Sequence, residues 1–112
     1  MEDITAVTLL RGVITEVSPK GEYVKIELIP SGEEVDSYVT SYSPIVYRDG
    51  KLIFRSSEKP VPKLTIGENV VCQLKEHHDV PQRRVRKFCR MSEYVDALRK
   101  RSIDVVNKEK GG

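Results

Sequence analysis

The fold of this chain is decided by residues 5–29, which read TAVTLLRGVITEV, SPKG and EYVKIELI in succession. In the last segment the apolar residues Val24, Ile26 and Leu28 alternate with polar ones, a period of two that is typical of a strand with one buried face. The first segment is rich in β-branched residues and carries Gly12 in its middle, where a glycine often marks a bulge or a bend. SPKG consists of turn residues. The stretch therefore predicts two strands joined by a turn.

Two segments further along extend this β pattern. VDSYVTSY (35–42) predicts a strand with Val35 and Val39 inward and with Tyr38 and Tyr42 on the opposite face. IVYRDGKLIF (45–54) predicts a hairpin, because Asp-Gly between two apolar runs is the pair that a type I′ turn favours.

The remaining strands are predicted on either side of the turn HHDVPQ (77–82). LTIGENVVCQLKE (64–76) places Val70, Cys72 and Leu74 on one face, and RRVRKFCRM (83–91) returns beside it as an antiparallel partner.

The period changes after residue 91. Ser92 is a plausible N-cap, acidic residues occupy the first turn, and basic residues come later. We expect a helix from about Glu93 to Val106, followed by a frayed, Lys-rich tail.

These elements predict an all-β fold: a small five-stranded OB-type barrel with an inserted hairpin at residues 45–54 and a C-terminal helix. The barrel is assigned to residues 1–91, and the helix with its basic tail to residues 92–112. A small β-sandwich is the main alternative, and an SH3-like barrel is possible but usually shorter.

Composition limits the class of protein. A chain of 112 residues makes one small domain, and no apolar run approaches the roughly 18–20 residues that cross a bilayer. Residues 1–82 carry 9 Lys and Arg against 13 Asp and Glu, whereas residues 83–112 carry 10 against 4. Such asymmetry suggests a polyanionic partner for the basic part. Two cysteines and no signal-peptide pattern indicate an intracellular protein, cytoplasmic or nuclear, with no membrane association.

The most basic stretch is PQRRVRKFCR (81–90). If Val85 points inward, simple alternation also places Cys89 inside. The outer face then carries Arg84, Arg86, Phe88 and Arg90. Cations suit phosphates, and an aromatic ring can stack a base. A nuclear-localisation signal is a weaker reading, because Val85, Cys89 and Met91 are typical of a strand core. The predicted nucleic-acid-binding residues are Tyr23, Lys25, Tyr38, Arg84, Arg86, Lys87, Phe88 and Arg90.

Three blocks of the sequence resemble cold-shock domains and, more loosely, S1 domains. RGVITEVSPKGEYVKI (11–26) is similar to the family's opening Gly-Val strand and Lys-Gly-aromatic motif. SGEEVDSYVTSYSPI (31–45) resembles the next conserved block, and LTIGENVVCQL (64–74) the Leu-x-x-Gly-x-x-Val block. The resemblance covers residues 8–91 and implies an OB fold that binds nucleic acid.

The chain departs from that family where stacking rings are expected. Glu22, Val24 and Lys25 stand at the aromatic positions of the first motif, and Thr40 replaces a histidine in the second. The resemblance therefore implies stacking by Tyr23 and Tyr38 only, and it leaves room for a protein partner.

Other chemistry finds little support in the sequence. His77-His78-Asp79 offers three ligand types, but adjacent residues rarely converge on one metal, so no metal site is predicted. Cys72 and Cys89 face each other if the turn centres on Val80-Pro81, and we expect two buried free thiols rather than a disulfide. No catalytic motif, phosphate loop or cofactor-binding pattern is present, so neither an enzyme nor a cofactor is predicted.

The sequence therefore predicts a non-enzymatic module that binds single-stranded RNA or DNA with weak sequence preference. Three helix residues could extend the basic track: Arg99, Lys100 and Arg101. The alternative is a protein-interaction adaptor within a larger protein or assembly, with the Asp49-Gly50 hairpin as a contact element. Salt separates the two, because phosphate binding weakens as salt rises and an apolar docking surface hardly responds.

Overall fold

A curled antiparallel sheet, a separate hairpin and one long helix make up the fold in the computed structural model, which describes residues 8–55, 61–75 and 84–110. The elements, in chain order, are β1 Leu10–Val17, β2 Tyr23–Ile29, β3 Glu34–Tyr38, β4 Ile45–Arg48, β5 Lys51–Phe54, β6 Asn69–Leu74, β7 Val85–Arg90 and α1 Met91–Lys110. The prediction of a mostly β fold with an inserted hairpin and a C-terminal helix is confirmed at this level.

The main sheet has the order β3-β2-β1-β6-β7, and every neighbouring pair in it is antiparallel. It curls into a half-barrel, so that its two outer strands approach each other. Two isolated parallel bridges form there, one between Asp36 of β3 and Arg84, just before β7, and one between Tyr42, four residues after β3, and Phe88 of β7. The curl brings the beginning of β7 beside β3, although these residues are far apart in sequence.

The core lies on the concave side of this sheet, and β2 shows why. Val24, Ile26 and Leu28 are buried while the residues between them are exposed, as the alternation predicted. A strand with period-two apolar residues buries one face at about 25 cal/mol per Å² of apolar surface removed from water. Ile14 of β1 and Val70 of β6 complete the central layer.

Gly12 has a packing role rather than the predicted bulge. A Cβ at this position would lie 2.4 Å from Cγ2 of Ile26 and 3.1 Å from the carbonyl oxygen of Glu27. The bulge of β1 instead falls at Thr15, since Ile14 pairs with Ile26 and Glu16 with Lys25. The glycine therefore permits close approach of β1 and β2, and the bend lies three residues later.

The Asp49-Gly50 turn forms as predicted. Asp49 has φ 52° and Gly50 has φ 77°, the two positive values that a type I′ turn requires. Arg48 pairs directly with Lys51 across it, and the hairpin β4–β5 buries Leu52 and Ile53.

A bulge in β7 overturns the predicted orientation of Phe88. Gln73 pairs with Lys87 but Leu74 pairs with Val85, so Arg86 is an extra residue in β7. Val85 and Phe88 consequently face the same, concave side although they are three residues apart. Phe88 is 0% exposed, and the prediction that it lies on the outer face is wrong.

The end of β3 also departs from simple alternation. A short 3-10 helix, Val39–Ser41, follows Tyr38 and turns the chain inward. Tyr42 is buried, and its ring meets that of Phe88 edge-on with centroids 5.6 Å apart. The predicted outward position of Tyr42 is therefore wrong, and Val39 is only half-buried.

The helix is longer than predicted and begins earlier. α1 starts at Met91 directly after β7 and runs 20 residues, so Ser92 lies inside it rather than at its N-cap. A carboxylate oxygen of Glu93 accepts the backbone N–H of Arg90 at 3.0 Å, which satisfies one of the free amides at the helix start. Ala97 is buried, and Tyr94 and Leu98 pack against the core.

Within the described part of the chain, α1 is the one long helix, and it is too polar to cross a membrane.

Candidate nucleic-acid interface

Two exposed tyrosines form a pair on the outer face of β2 and β3. Tyr23 and Tyr38 are direct cross-strand partners, their ring centroids lie 4.8 Å apart, and they are 45% and 49% exposed. Interaction with the side chain of Tyr38 is the main cause that raises the pKa of Tyr23. We call these two residues the tyrosine pair. Their rings present flat apolar surfaces with polar hydroxyl groups to solvent, and a nucleobase can stack on such a ring.

A row of alternating charge crosses the same face beside the tyrosine pair. Glu16 pairs with Lys25 across β1 and β2, Lys25 pairs with Asp36 across β2 and β3, and Asp36 bridges to Arg84, the residue before β7. The Lys25 ammonium lies 3.5 Å from a carboxylate oxygen of Glu16. We call this set the charged row: Glu16, Lys25, Asp36 and Arg84. Because its signs alternate, the row is neutral as a whole and suits polar recognition better than strong attraction of anions.

A cleft of about 240 Å³ lies beside Tyr23 and three residues of the charged row, Glu16, Lys25 and Asp36. The hydroxyl oxygen of Ser18 accepts the backbone N–H groups of Glu22 and Tyr23, each at 3.0 Å, and so holds the β1–β2 turn beside the cleft. The residues that line it are Glu16, Ser18, Tyr23, Val24, Lys25 and Asp36.

Two arginines of the basic stretch remain available to a ligand. Arg84 and Arg86 are exposed on either side of the buried Val85. Among the residues that the structure describes, neither of them forms an ion pair. The positive charge of Arg84 acts on Tyr23 and opposes the larger effect of Tyr38 on its pKa. Arg84 therefore lies within electrostatic reach of the tyrosine pair.

The other predicted residues of the basic stretch are engaged within the protein. The Lys87 ammonium lies 5.8 Å from the centroid of the Phe54 ring, a cation–π contact with the hairpin. Phe88 is in the core and cannot stack a base. Nε of Arg90 donates to a carboxylate oxygen of Glu68 at 2.8 Å, and Nη2 donates to the backbone carbonyl of Lys63 at 2.9 Å.

The predicted extension along the helix is also reduced. Lys100 pairs with Asp96 one turn earlier at 3.3 Å, while Arg99 is exposed and Arg101 half-buried. Of the eight residues predicted from sequence, the structure brings four together, Tyr23, Lys25, Tyr38 and Arg84, and leaves Arg86 exposed two positions further along β7.

Both cysteines are buried free thiols, as predicted. Cys89 pairs with Val71 and Cys72 with Phe88, so the two thiols are offset by one residue and do not face each other across the strands. Burial raises the pKa of Cys72 to about 11 and that of Cys89 to about 12. Both are inert at neutral pH.

His77-His78-Asp79, the segment considered for metal binding, lies outside the described residues. Within residues 8–55, 61–75 and 84–110, no three His, Cys, Asp or Glu side chains gather closely enough to hold a metal ion.

Sequence reasoning missed the carboxylates of the interface. Asp36 is not among the eight predicted residues, although alternation from Val35 places it on the outer face. Glu16 had no usable signal, because the bulge at Thr15 sets its orientation and nothing local predicts that bulge.

Comparison with known proteins adds no relative: no family model matches the chain, and no curated protein matches it.

Proposed function

We propose that this chain is a non-enzymatic, OB-type, cold-shock-like module that binds single-stranded RNA or DNA. Tyr23 and Tyr38 stack bases, Arg84 and Arg86 contact phosphates, and Lys25 can supply a third phosphate contact. Lys87, Phe88 and Arg90 have no direct part in this proposal, since each is engaged within the protein.

The strand connectivity supports the OB-type assignment. The curled five-stranded sheet consists of a three-stranded meander β1-β2-β3 and the antiparallel pair β6-β7 beside β1. Two isolated parallel bridges connect the β3 region of the chain with the β7 region. In OB folds the outer face of the second and third strands is a common binding surface for oligonucleotides. The tyrosine pair lies on that face.

The single observation that carries the proposal is the exposure of two contacting aromatic rings next to a guanidinium group. A cross-strand aromatic pair stabilises a sheet by only about 0.2–1 kcal/mol. Contact between the two tyrosines is therefore a small contribution to stability, and it leaves both residues about half exposed. Stacking of one base on such a ring is worth about 1–3 kcal/mol. Stacking of a planar ligand on these rings would therefore contribute more free energy than the cross-strand contact contributes to the stability of the sheet.

The test is a fluorescence anisotropy titration with a labelled mixed-sequence oligonucleotide of about 12 nucleotides, within the length range of one OB fold. Tyr38→Leu removes the ring while keeping an apolar side chain, and Tyr38→Phe keeps the ring as the matched control. We expect Tyr38→Leu to weaken binding by about 5- to 150-fold and Tyr38→Phe to bind like the wild type.

Two results would overturn the proposal: no binding by the wild type at low salt, or equal binding by wild type and Tyr38→Leu. Ile66→Ala removes an exposed side chain from the turn before β6 and provides a control outside the interface.

A protein-interaction module is the second candidate, and the helix is the observation that favours it. Four apolar side chains of α1 are 43–55% exposed: Val95, Ile103, Val105 and Val106. Scattered exposed apolar residues are common, so this observation is weaker than the tyrosine pair. An adaptor would bind no oligonucleotide at any salt concentration, and its protein contacts would be insensitive to salt.

A further inference from the structure

The side of α1 that points away from the rest of the domain carries apolar residues in a continuous line. The residues of α1 that are buried or half-buried include Tyr94, Ala97, Leu98, Arg101 and Asp104. At 3.6 residues per turn, the opposite side of the helix is formed by Val95, Arg99, Ser102, Ile103 and Val106, all of them exposed. We call these five residues the helix stripe.

Local helix stability does not account for the composition of the helix stripe. Val95, Ile103 and Val106 are 43%, 55% and 45% exposed. Valine and isoleucine lose side-chain freedom in a helix and form helices less readily than alanine, leucine, lysine or glutamate. Because the three side chains lie on one face rather than scattered around the helix, they form an apolar surface that a second helix can cover.

The helix stripe matches itself under a two-fold axis. Val95 and Val106 lie equally far from the midpoint between positions 100 and 101, on opposite sides of it. If two α1 helices pack antiparallel about that midpoint, each Val95 contacts the partner's Val106, and the two contacts lie about 16 Å apart. Arg99 then lies opposite the partner's Ser102, whose small side chain leaves room for the longer one. The stripe is therefore self-complementary.

The charges of α1 favour the same antiparallel arrangement. Residues 91–98 carry two acidic and no basic residues, whereas residues 99–110 carry five Lys and Arg against two Asp and Glu. An antiparallel pair places the acidic beginning of one helix beside the basic end of the other, and it also opposes the two helix dipoles. A parallel pair would bring like charges together.

We propose that the protein forms a symmetric, antiparallel homodimer through the helix stripe. The inference does not depend on nucleic-acid binding, because the tyrosine pair lies on β2 and β3, outside the stripe. The stripe is small beside a standard interface of about 20–30 residues a side, so the dimer belongs to the weak class, with a dissociation constant on the order of 100 µM.

The test is sedimentation velocity of the full chain over protein concentrations from about 10 µM to about 1 mM, which bracket that constant. We expect the average mass to rise from the monomer value of 12.8 kDa toward twice that value. Val106→Lys places an unpaired charge in the stripe and should raise the dissociation constant at least about 10-fold.

Asn107→Lys is the matched control. Asn107 is exposed and next in sequence, but it lies about 100° around the helix from Val106, outside the stripe, and its substitution adds the same charge. We expect it to keep the wild-type constant within about 2-fold. Val106→Ala, which removes apolar surface and favours the helix, supplies a second measurement should Val106→Lys fail to fold, and it should raise the constant about 3-fold.

A charge swap tests the antiparallel register. Val95→Glu alone should weaken the dimer as Val106→Lys does. In the double variant Val95→Glu/Val106→Lys, each new carboxylate meets the partner's new ammonium, so it should dimerise at least about 5-fold more tightly than either single variant. The two substituted positions are about 16 Å apart within one helix, so the new charges cannot pair inside one chain.

Each outcome bears on one part of the inference. A wild type that stays monomeric up to about 1 mM refutes the dimer. A dimer that neither Val106→Lys nor Val106→Ala weakens more than Asn107→Lys uses another surface, and the helix stripe is then refuted. A double variant no tighter than the single variants refutes the antiparallel register. None of these results bears on oligonucleotide binding, which its own titration tests.

Discussion

The dependence of oligonucleotide binding on salt measures how many cations the interface supplies. Each phosphate neutralised on a single strand contributes about −0.7 to the slope of log K against log salt. Arg84 and Arg86 are exposed and form no ion pair among the described residues, so two phosphate contacts give a slope of about −1.4. If Lys25 exchanges Glu16 for a third phosphate, the slope becomes about −2.1.

The interface expected from sequence alone gives a different value. Its five cations, Lys25, Arg84, Arg86, Lys87 and Arg90, would give a slope of about −3.5. Doubling the salt would then weaken binding about 11-fold, whereas the two-arginine interface loses only about 2.6-fold. The difference is large enough to measure.

The assay is an anisotropy titration at several salt concentrations between about 50 and 200 mM, the range over which such slopes are commonly measured. Arg84→Gln should make the slope shallower by about 0.7, and Arg99→Gln, at an exposed position on the helix, should leave it unchanged. A slope near −3.5, or one that Arg84→Gln does not alter, would refute this account of the interface.

Three further predictions concern the fold. Gly12→Ala should lower the free energy of unfolding by about 1–3 kcal/mol in urea denaturation, because the added Cβ would lie 2.4 Å from an atom of the buried Ile26; an unchanged midpoint would contradict the packing described. Cys72 and Cys89, with pKa values raised by burial to about 11 and 12, should react with a thiol reagent at pH 8 only after the protein is denatured, and rapid reaction of the native protein would contradict their burial. Burial, and then the hydrogen bond to Glu93, raise the pKa of Tyr42 above its ordinary value, so its stabilising contribution is complete below about pH 10 and is lost as the pH rises toward the folded-state pKa. Stability should therefore fall less steeply above pH 10 in Tyr42→Phe than in the wild type, and parallel pH curves would count against this linkage.

An element could be predicted from the sequence when its conformation depends on residues close to it along the chain. The alternation of β2 and the Asp49-Gly50 turn depend on neighbouring residues, and both formed as expected. The end of β3 did not, because a 3-10 helix rotates the chain and carries Tyr42 inward. The helix begins earlier than expected, and the Glu93 side chain accepts the backbone N–H of Arg90, so Arg90 rather than Ser92 is the residue before the first turn.

The candidate site was predicted in part for the same reason. Tyr23, Lys25 and Tyr38 follow from alternation in β2 and β3, and the curl of the sheet brings Arg84 to them. The loss of Arg90 from the site could not be foreseen, because its partner Glu68 lies 22 residues away in the sequence. Lys87 likewise meets Phe54 only because the hairpin packs against β7.

The sequence by itself determined the strand segments, the hairpin, the helix and the two outward tyrosines, since these depend on the period of apolar residues and on turn chemistry over a few positions. Only the tertiary structure decided which side of β7 carries Phe88. One extra residue, Arg86, reverses the orientation of every side chain after it, and the pairing with β6 that accommodates this residue is a non-local event. Phe88 is buried for this reason, and Lys87 and Arg90 have partners within the protein. The candidate interface is therefore the tyrosine pair with the charged row beside it, and not the whole basic stretch.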